Sequence, residues 1–310
     1  MINIKPSNQI NLFGLNKFFD ELVNLEQNSN LPNKILLSGQ KGLGKSTLAY
    51  HFINYSLSKN EEHSYDIDNY RIITENTTFK TIQNGSNPNL NVIDIQPEKK
   101  SIDINQIREL IAHLNKSSFN KKPRFVLIDN IEFLNTNSIN ALLKILEEPT
   151  LNVHFILIHN QKKILPTLLS RCINFRISLT NKESLEIANI LLGGKLYEFI
   201  NKDLINYYQS PGNIFNLTKF AMTNDYDFSK MNLKEFLKFI ITNTSYKNNE
   251  IIKYLIFDFF ETYFRDINLN FSSNIYHKYT YFLKRISDTK KFNLDEESLF
   301  HEFEKKILNG

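Results

Sequence analysis

Cysteine is almost missing from this sequence. Cys172 is the only one among 310 residues, which excludes a disulfide framework and a zinc site built from cysteines. The seven histidines show no ligand spacing of the H-x-x-x-H kind. The composition therefore argues against a structural or catalytic metal cluster held by cysteine and histidine side chains.

Long apolar runs are also missing, and none approaches the ~18–20 residues that a membrane-spanning helix needs. The first residues, "MINIKPSNQINLFG", lack the basic start and the apolar stretch of a signal peptide. We therefore expect a cytoplasmic protein that has no contact with membranes. The net charge is only +4. Such a mild basic excess does not predict strong binding to DNA by this chain alone.

Apolar residues are nevertheless numerous enough for a large core, because 41% of the residues are hydrophobic and 23% are charged. The length predicts two or three domains. Apolar residues recur at helical spacing at several places, for example at Ile107, Leu110 and Leu114. Five short apolar runs between such segments have the character of buried strands: 34–39, 90–95, 125–129, 154–159 and 173–178. This alternation predicts an α/β fold with a parallel sheet covered by helices on both faces.

The pattern changes after residue 178. From there to about residue 224 the sequence has helical segments only, broken at "LLGGK" and "QSPGN". A polar stretch, "TNDYDFSK", separates them from a last part that is helical in pattern and rich in aromatic residues. We therefore predict three domains: an α/β core at 1–178, a small helical domain at 179–224 and an all-helical domain at 225–310.

A phosphate-binding pattern follows the first predicted strand. The segment "GQKGLGKS" fits G-x-x-x-x-G-K-[ST] and is followed by a predicted helix. Glycines let backbone N–H groups turn toward phosphates, and the helix presents its positive end to the anion. Lys45 would contact the β and γ phosphates, and the Ser46 hydroxyl would bind magnesium. The predicted nucleotide contacts are Gly39, Gln40, Lys41, Gly42, Leu43, Gly44, Lys45, Ser46 and Thr47; the alternative is a bare glycine turn.

An aspartate ends the third predicted strand, in "RFVLIDN". Because ligands of open α/β sheets sit at the carboxyl ends of the strands, Asp129 is predicted to hold magnesium together with Ser46. The alternative is a capping aspartate in a turn. The next residue is Asn130, where an ATPase would carry a second acid. An asparagine can hold a water molecule but cannot take its proton.

Residues 137–172 resemble the clamp-loader branch of the AAA+ ATPases, above all in "NALLKILEEP" and "LPTLLSRC". Upstream, "GSNPNLNVIDI" and "IDINQIREL" resemble the delta-prime family of bacterial DNA polymerase III subunits more than the tau/gamma family. The resemblance extends over residues 1 to about 222. It implies an AAA+ P-loop core, a small helical lid, and an all-helical collar domain that ties five subunits into an open ring.

The resemblance also implies site residues. In proteins of this group the arginine of "SRC" is a finger that reaches the γ-phosphate held by a neighbouring subunit, which here would be Arg171. A planar, always charged guanidinium suits this task. Asn160 would be the first phosphate sensor, with His159 as a further candidate. The alternatives are a surface arginine before a strand and a polar cap at a strand end.

The sequence departs from the family's motor subunits in three ways. Those subunits carry Asp-Glu where this chain has Asp129 and Asn130, and Glu132 could replace the acid only if its loop were re-aimed. A second sensor arginine is expected near Asn213, where there is none. The four cysteines of a zinc module are absent. We therefore predict that the chain binds ATP with Mg²⁺ but hydrolyses it slowly or not at all.

The predicted partners follow from the same resemblance. They are tau/gamma and delta subunits in a hetero-pentameric ring, with the sliding clamp and primed DNA reached through the complex. The alternatives are an autonomous AAA+ ATPase, either a tau/gamma-like motor or a repair ATPase, and a P-loop kinase for a small molecule. Turnover by the isolated chain discriminates them, because a motor or a kinase would work alone.

Overall fold

The computed structural model describes residues 5–97, 99–115, 120–147, 152–160, 165–205, 207–244, 246–247, 249–267, 273–292 and 294–309. The chain divides into two compact units, Met1–Leu179 and Thr180–Gly310. The first unit holds all the strands of the sheet, and the regular elements of the second are helical. Among the described residues no helix is long and apolar enough to span a membrane.

The sheet of the first unit has five strands in the order β2-β3-β4-β1-β5, and each of the four strand pairs is parallel. Strand β1 lies between β4 and β5 and pairs with both, so that Ile35 lies opposite Ile156 and Ile173. The strands are β1 Lys34–Ser38, β2 Leu90–Ile93, β3 Arg124–Ile128, β4 Val153–His159 and β5 Ile173–Arg176. These are the five predicted runs, and the predicted parallel sheet is confirmed.

Helices pack on both faces of this sheet. The strand period of two sends Phe125 of β3 to the Phe52 ring, at 6.1 Å between centroids, and Val126 into a cluster with Leu110 and Leu142. The helices of this unit are α1 Asn16–Gln27, α2 Lys45–Ser58, α3 Thr77–Gln83, α4 Ile104–Leu114, α5 Thr136–Glu147 and α6 Pro166–Leu169. Phe52 belongs to α2, whereas Leu110 and Leu142 belong to α4 and α5.

The short helix α3 was not predicted, since its sequence lies in a polar, asparagine-rich stretch. Polar contacts fix it instead of an apolar stripe. The Asn76 side chain caps the helix by accepting the N–H of Phe79 at 2.7 Å. Glu61 accepts the N–H groups of Thr77 and Thr78 at 2.9 and 3.1 Å. Both contacts satisfy the free donors of a helix start, and the one from Glu61, 16 residues before Thr77, does not show in a periodicity.

The second unit is built from helices around one apolar cluster that runs from Ala188 to Leu308. Its helices are α7 Asn181–Leu191, α8 Leu196–Phe199, α9 Pro211–Thr223, α10 Leu233–Thr242, α11 Glu250–Ile267, α12 Ser273–Phe292 and α13 Glu296–Phe303. Capping boxes start α7 at Thr180 and α10 at Asn232. The cluster includes residues on both sides of the predicted boundary at 224 and 225, and the division into lid and collar stays a prediction.

Candidate nucleotide-binding site

The loop between β1 and α2 has the backbone shape of a phosphate cradle. Three of its glycines have positive φ angles: 149° at Gly39, 85° at Gly42 and 87° at Gly44. Gly44 is the N-cap of α2, and it has no side chain with which to satisfy the first N–H groups of that helix. These donors and the positive helix end together suit an anion.

Gly39 cannot be replaced without moving the backbone. A Cβ at this position would lie 2.4 Å from the carbonyl oxygen of Ile177 and 3.1 Å from the Leu43 side chain. Ile177 is itself fixed, because its N–H donates to Ser38 O at 2.8 Å. The first glycine of the pattern is therefore required by the close approach of the segment that follows β5.

Lys45 lies across the loop with its amine buried. Its Nζ donates to Gly39 O at 2.8 Å and to Gln40 O at 2.7 Å, and the residue is only 3% exposed. Burial lowers the pKa of Lys45 to about 8, although the carboxylates of Asp129 and Glu132 oppose the shift. A nearby anion would favour the charged amine, so this desolvated cation fits a phosphate group.

Ser46 and Asp129 meet directly, although they are far apart in the sequence. The Ser46 hydroxyl donates to Asp129 Oδ2 at 2.5 Å, and the N–H of Asn130 donates to Asp129 Oδ1 at 2.7 Å. Burial raises the pKa of Asp129, and the carboxylate of Asp94 raises it further. A buried carboxylate beside a hydroxyl is the kind of oxygen donor set that Mg²⁺ accepts, so the two predicted metal ligands fit that ion.

Asn130 and Asn160 are joined by hydrogen bonds at the same edge of the sheet. The Asn160 amide donates to Asn130 Oδ1 at 2.9 Å, and the Asn130 amide donates to Asp94 Oδ1 at 2.8 Å. The Asn160 main-chain N–H donates to Glu132 Oε2 at 3.2 Å. Asn130 has a left-handed backbone with φ of 54°, which asparagine tolerates well. Asn130, which stands in place of the second acid, is thus hydrogen-bonded through both the nitrogen and the oxygen of its side-chain amide.

The remaining residues predicted to contact the nucleotide lie in the same loop or next to it. Lys41 is exposed, Leu43 is buried, and Thr47 is half-buried at the start of α2. His159 is buried on β4 opposite Ser38. Gln40 and Gly42 complete the turn between β1 and α2.

Arg171 does not bond to the loop; its hydrogen bonds among the described residues go to Glu147, Thr167 and Ser170. Near the expected second sensor, Asn213 is buried in α9 and its N–H donates to the cap Ser210 at 3.3 Å. Among described residues its amide nitrogen has no partner.

Three residues of interest were missed in the sequence. Asp94 directly follows β2, as Asp129 directly follows β3, and the common edge of parallel strands could have indicated it. Tyr50 lies one turn after Ser46 on α2, and burial with the charge of Asp129 raises its pKa to about 12. Glu147, which binds Arg171, gave no signal because the pair is 24 residues apart in the chain.

Comparison with known proteins places these features in a family. The model of the family described as "DNA polymerase III, delta subunit" matches residues 14–181. Within the 137–172 segment that carries the sequence resemblance, residues 148–151 and 161–164 lie outside the described residues. The matched range contains the whole cradle, Asp129, Asn160 and Arg171.

Two curated relatives have similar sequences over part of their length. The delta' subunit of DNA polymerase III from Pseudomonas aeruginosa is 30% identical over 139 residues, which are 44% of this chain and 40% of that protein. The gamma subunit from Buchnera aphidicola of Acyrthosiphon pisum is 32% identical over 151 residues, or 48% of this chain and 39% of that protein. The match thus spans well under half of either relative.

One solved structure is similar over most of the chain. A gamma subunit-related protein of DNA polymerase III from Thermotoga maritima superposes with a TM-score of 0.52 at 18% identity, covering 91% of this chain and 97% of that one. At this identity the likeness concerns the fold alone. The fold is the predicted arrangement, a parallel sheet that carries the phosphate-binding loop, followed by a helical part.

Proposed function

Because this chain belongs to the family described as DNA polymerase III, delta subunit, we propose that it is a clamp-loader subunit that binds ATP and completes the ATPase site of a neighbouring subunit. One observation carries the proposal: a complete phosphate cradle stands beside an asparagine in place of the water-activating acid. A chain of this kind can hold a nucleotide without turning it over quickly.

ATP with Mg²⁺ is the proposed ligand of the cradle. The N–H groups at the start of α2 and the Lys45 amine would hold the phosphates, and Ser46 and Asp129 would hold the metal. Bound Mg²⁺ would neutralise phosphate charge. The buried, low-pKa amine of Lys45 and the paired Ser46 and Asp129 oxygens support this assignment. Asn160 lies beside Asn130 at the same edge, and we propose it as the phosphate or water sensor.

Slow turnover is proposed from the chemistry of position 130. A general base contributes ~10²–10⁴ to a rate, and an amide cannot accept the proton of the attacking water. The Asn130 amide is also held between Asp94 and Asn160. Its role would be to order the sheet edge around the nucleotide rather than to activate water.

Arg171 is the proposed contribution to the neighbour. Its side chain is 30% exposed. Apolar residues around it are unusually exposed, namely Leu165 at 44%, Leu169 at 41% and Ile173 at 55%. Exposed apolar residues with an arginine among them are the composition of an interface core. We propose that a tau/gamma-like subunit covers this surface and that delta-like subunits, the sliding clamp and primed DNA are reached through the ring.

Reconstitution tests the proposal. The chain is mixed with tau/gamma and delta subunits, complex mass is measured, and clamp-stimulated ATP hydrolysis is followed. We expect a complex of pentameric mass, and Arg171→Ala should remove the share of the rate that comes from one site, since such fingers supply ~10³–10⁵. Arg171→Lys keeps the charge but loses the planar fork and should restore little. Failure to assemble, or equal rates with wild type and Arg171→Ala, would contradict the proposal.

An autonomous AAA+ ATPase is the second candidate, and one observation favours it. The Glu132 carboxylate lies close enough to raise the pKa of Lys45 against the larger effect of burial. Glu132 could then act as the missing acid. This candidate predicts brisk turnover by the isolated chain that Glu132→Gln abolishes, whereas the clamp-loader proposal predicts little turnover in either variant.

A further inference from the structure

The Arg171 guanidinium donates four hydrogen bonds, to acceptors at the end of α5 and in and next to α6. Its Nε donates to Glu147 Oε1 at 3.1 Å, and Nη2 donates to the same oxygen. Its Nη1 donates to Thr167 O at 3.0 Å and to Ser170 Oγ at 3.3 Å. Glu147 is the last residue of α5, and Thr167 belongs to α6. The side chain is therefore fixed in direction by its own subunit.

We propose that Glu147 is a positioning residue for Arg171, an inference that rests on the proposed function. Glu147 binds one edge of the guanidinium, the edge formed by Nε and Nη2. A guanidinium has five N–H donors in a rigid fork. Four of them are used in the described residues, so one donor on Nη2 remains for a phosphate oxygen of the neighbour.

Stability does not explain this pair. The Arg171 and Glu147 side chains are 30% and 55% exposed. Exposed ion pairs contribute little to folding stability, because water screens them. A free arginine side chain, however, has many rotamers, and it loses this conformational entropy when it binds a phosphate. Holding the guanidinium beforehand lowers that cost at the moment of reaction.

The same weakness argues against Glu147 as an inhibitory latch. An exposed contact that contributes little cannot hold back an arginine whose phosphate contact supplies ~10³–10⁵ in rate. The Nη1 bonds to Thr167 O and Ser170 Oγ can also be exchanged for phosphate oxygens while Glu147 keeps the other edge in place. Orientation is therefore what Glu147 contributes.

The test is a double-mutant cycle in the assembled loader, measuring ATPase kcat and KM with wild type, Glu147→Ala, Arg171→Ala and the double variant. We expect Glu147→Ala to lower the rate of the completed site about tenfold, equivalent to about 1.4 kcal/mol. The KM for ATP and the complex mass should not change. Glu147→Gln, whose amide oxygen can still accept the Nε–H, should recover part of the rate. The double variant should equal Arg171→Ala.

Glu186→Ala is the matched control, because Glu186 makes an exposed ion pair with Lys182 at 3.9 Å on another helix. It should leave every rate unchanged. If Arg171→Ala slows the loader but Glu147→Ala does not, or if Glu147→Ala speeds it, the positioning role of Glu147 is wrong. The proposed action of Arg171 on the neighbour's nucleotide is then still supported. If the double variant is slower than Arg171→Ala alone, Glu147 acts through a residue other than Arg171, and the positioning role is wrong. If Arg171→Ala has no effect, the proposed function fails and this inference fails with it.

Discussion

The side chain of Asn130 decides whether this site can accept a proton from the attacking water. Its amide donates to Asp94 and accepts from Asn160, both within 2.9 Å. An acid at this position would be able to take a proton from water, whereas the amide can only order its neighbours. The identity of residue 130 therefore sets the proposed rate of the chain's own hydrolysis.

Asn130→Glu should make the isolated chain hydrolyse ATP at least ~10-fold faster in a single turnover, because a general base contributes ~10²–10⁴. The matched control is Asn130→Gln, which has the same length, loses the same contacts and adds no acid. Equal rates for the Glu and Gln variants would show that something other than the missing acid limits turnover.

The buried amine of Lys45 predicts a dependence of nucleotide affinity on pH. Burial lowers its pKa from the ordinary 10.5 to about 8. Below that pH the amine is charged and can bind phosphate, and above it the free protein loses the charge. Affinity for ATP should therefore fall above about pH 8, by up to tenfold per pH unit.

Folding stability responds to the same group with the opposite sign. The pKa of Lys45 in the folded protein lies below its pKa in the unfolded chain, so the unfolded chain binds more protons between about pH 8 and 10.5. The free energy of unfolding therefore increases with pH in that range.

Titration with a fluorescent ATP analogue from about pH 7 to about pH 9.5 checks the affinity, with circular dichroism to show that the fold persists. An affinity that is constant over this range would mean that Lys45 keeps its charge in the free protein.

At the scale of elements, the site depends on how closely β1, its loop and the segment after β5 approach one another. Gly39→Ala would place a Cβ 2.4 Å from Ile177 O. We expect a loss of about 1–3 kcal/mol in stability from this overpacking, together with loss of nucleotide binding as the loop moves. Chemical denaturation and ATP titration measure the two effects.

Gly85→Ala is the control for that change. Gly85 also has a positive φ, of 66°, but a Cβ there would meet nothing within 4 Å. It should cost only the ~1–2 kcal/mol of a left-handed alanine and leave nucleotide binding intact. Should both variants bind ATP equally well, the close approach at Ile177 is not what shapes the cradle.

The elements that could be predicted from sequence are those whose pattern is local. After Arg124, β3 is a run of apolar residues because both faces of the sheet are covered, and α4 shows its buried stripe at Ile107, Leu110 and Leu114. The cradle is a contiguous motif. By contrast, α3 depends on Glu61, and the orientation of Arg171 depends on Glu147, which no local spacing reveals. The contact between Ser46 and Asp129 could be predicted because both follow strands at one sheet edge, whereas contacts outside that edge could not.

At the scale of the whole molecule, the chain consists of two units with separate apolar clusters. The second has its own core, in which Phe260 and Phe303 stack at 3.7 Å. A fragment of residues 180–310 should therefore fold alone, with helical circular dichroism and a cooperative thermal transition. A fragment that is helical but melts without cooperativity would show that this core needs the rest of the chain.

The proposed role assigns different work to two residues of one subunit. Lys45 would hold this chain's own nucleotide, and Arg171 would act on a nucleotide held by a neighbour. Lys45→Ala should abolish nucleotide binding by the isolated chain and leave its fold intact, while Arg171→Ala should leave that binding unchanged.

The most direct measurement compares ATP hydrolysis by reconstituted loaders that carry wild type, Lys45→Ala or Arg171→Ala in this subunit alone. The account predicts that the Lys45→Ala loader keeps most of its rate and that the Arg171→Ala loader loses the share of one site, with both complexes at full mass. A loader that stops with Lys45→Ala and runs normally with Arg171→Ala would contradict it.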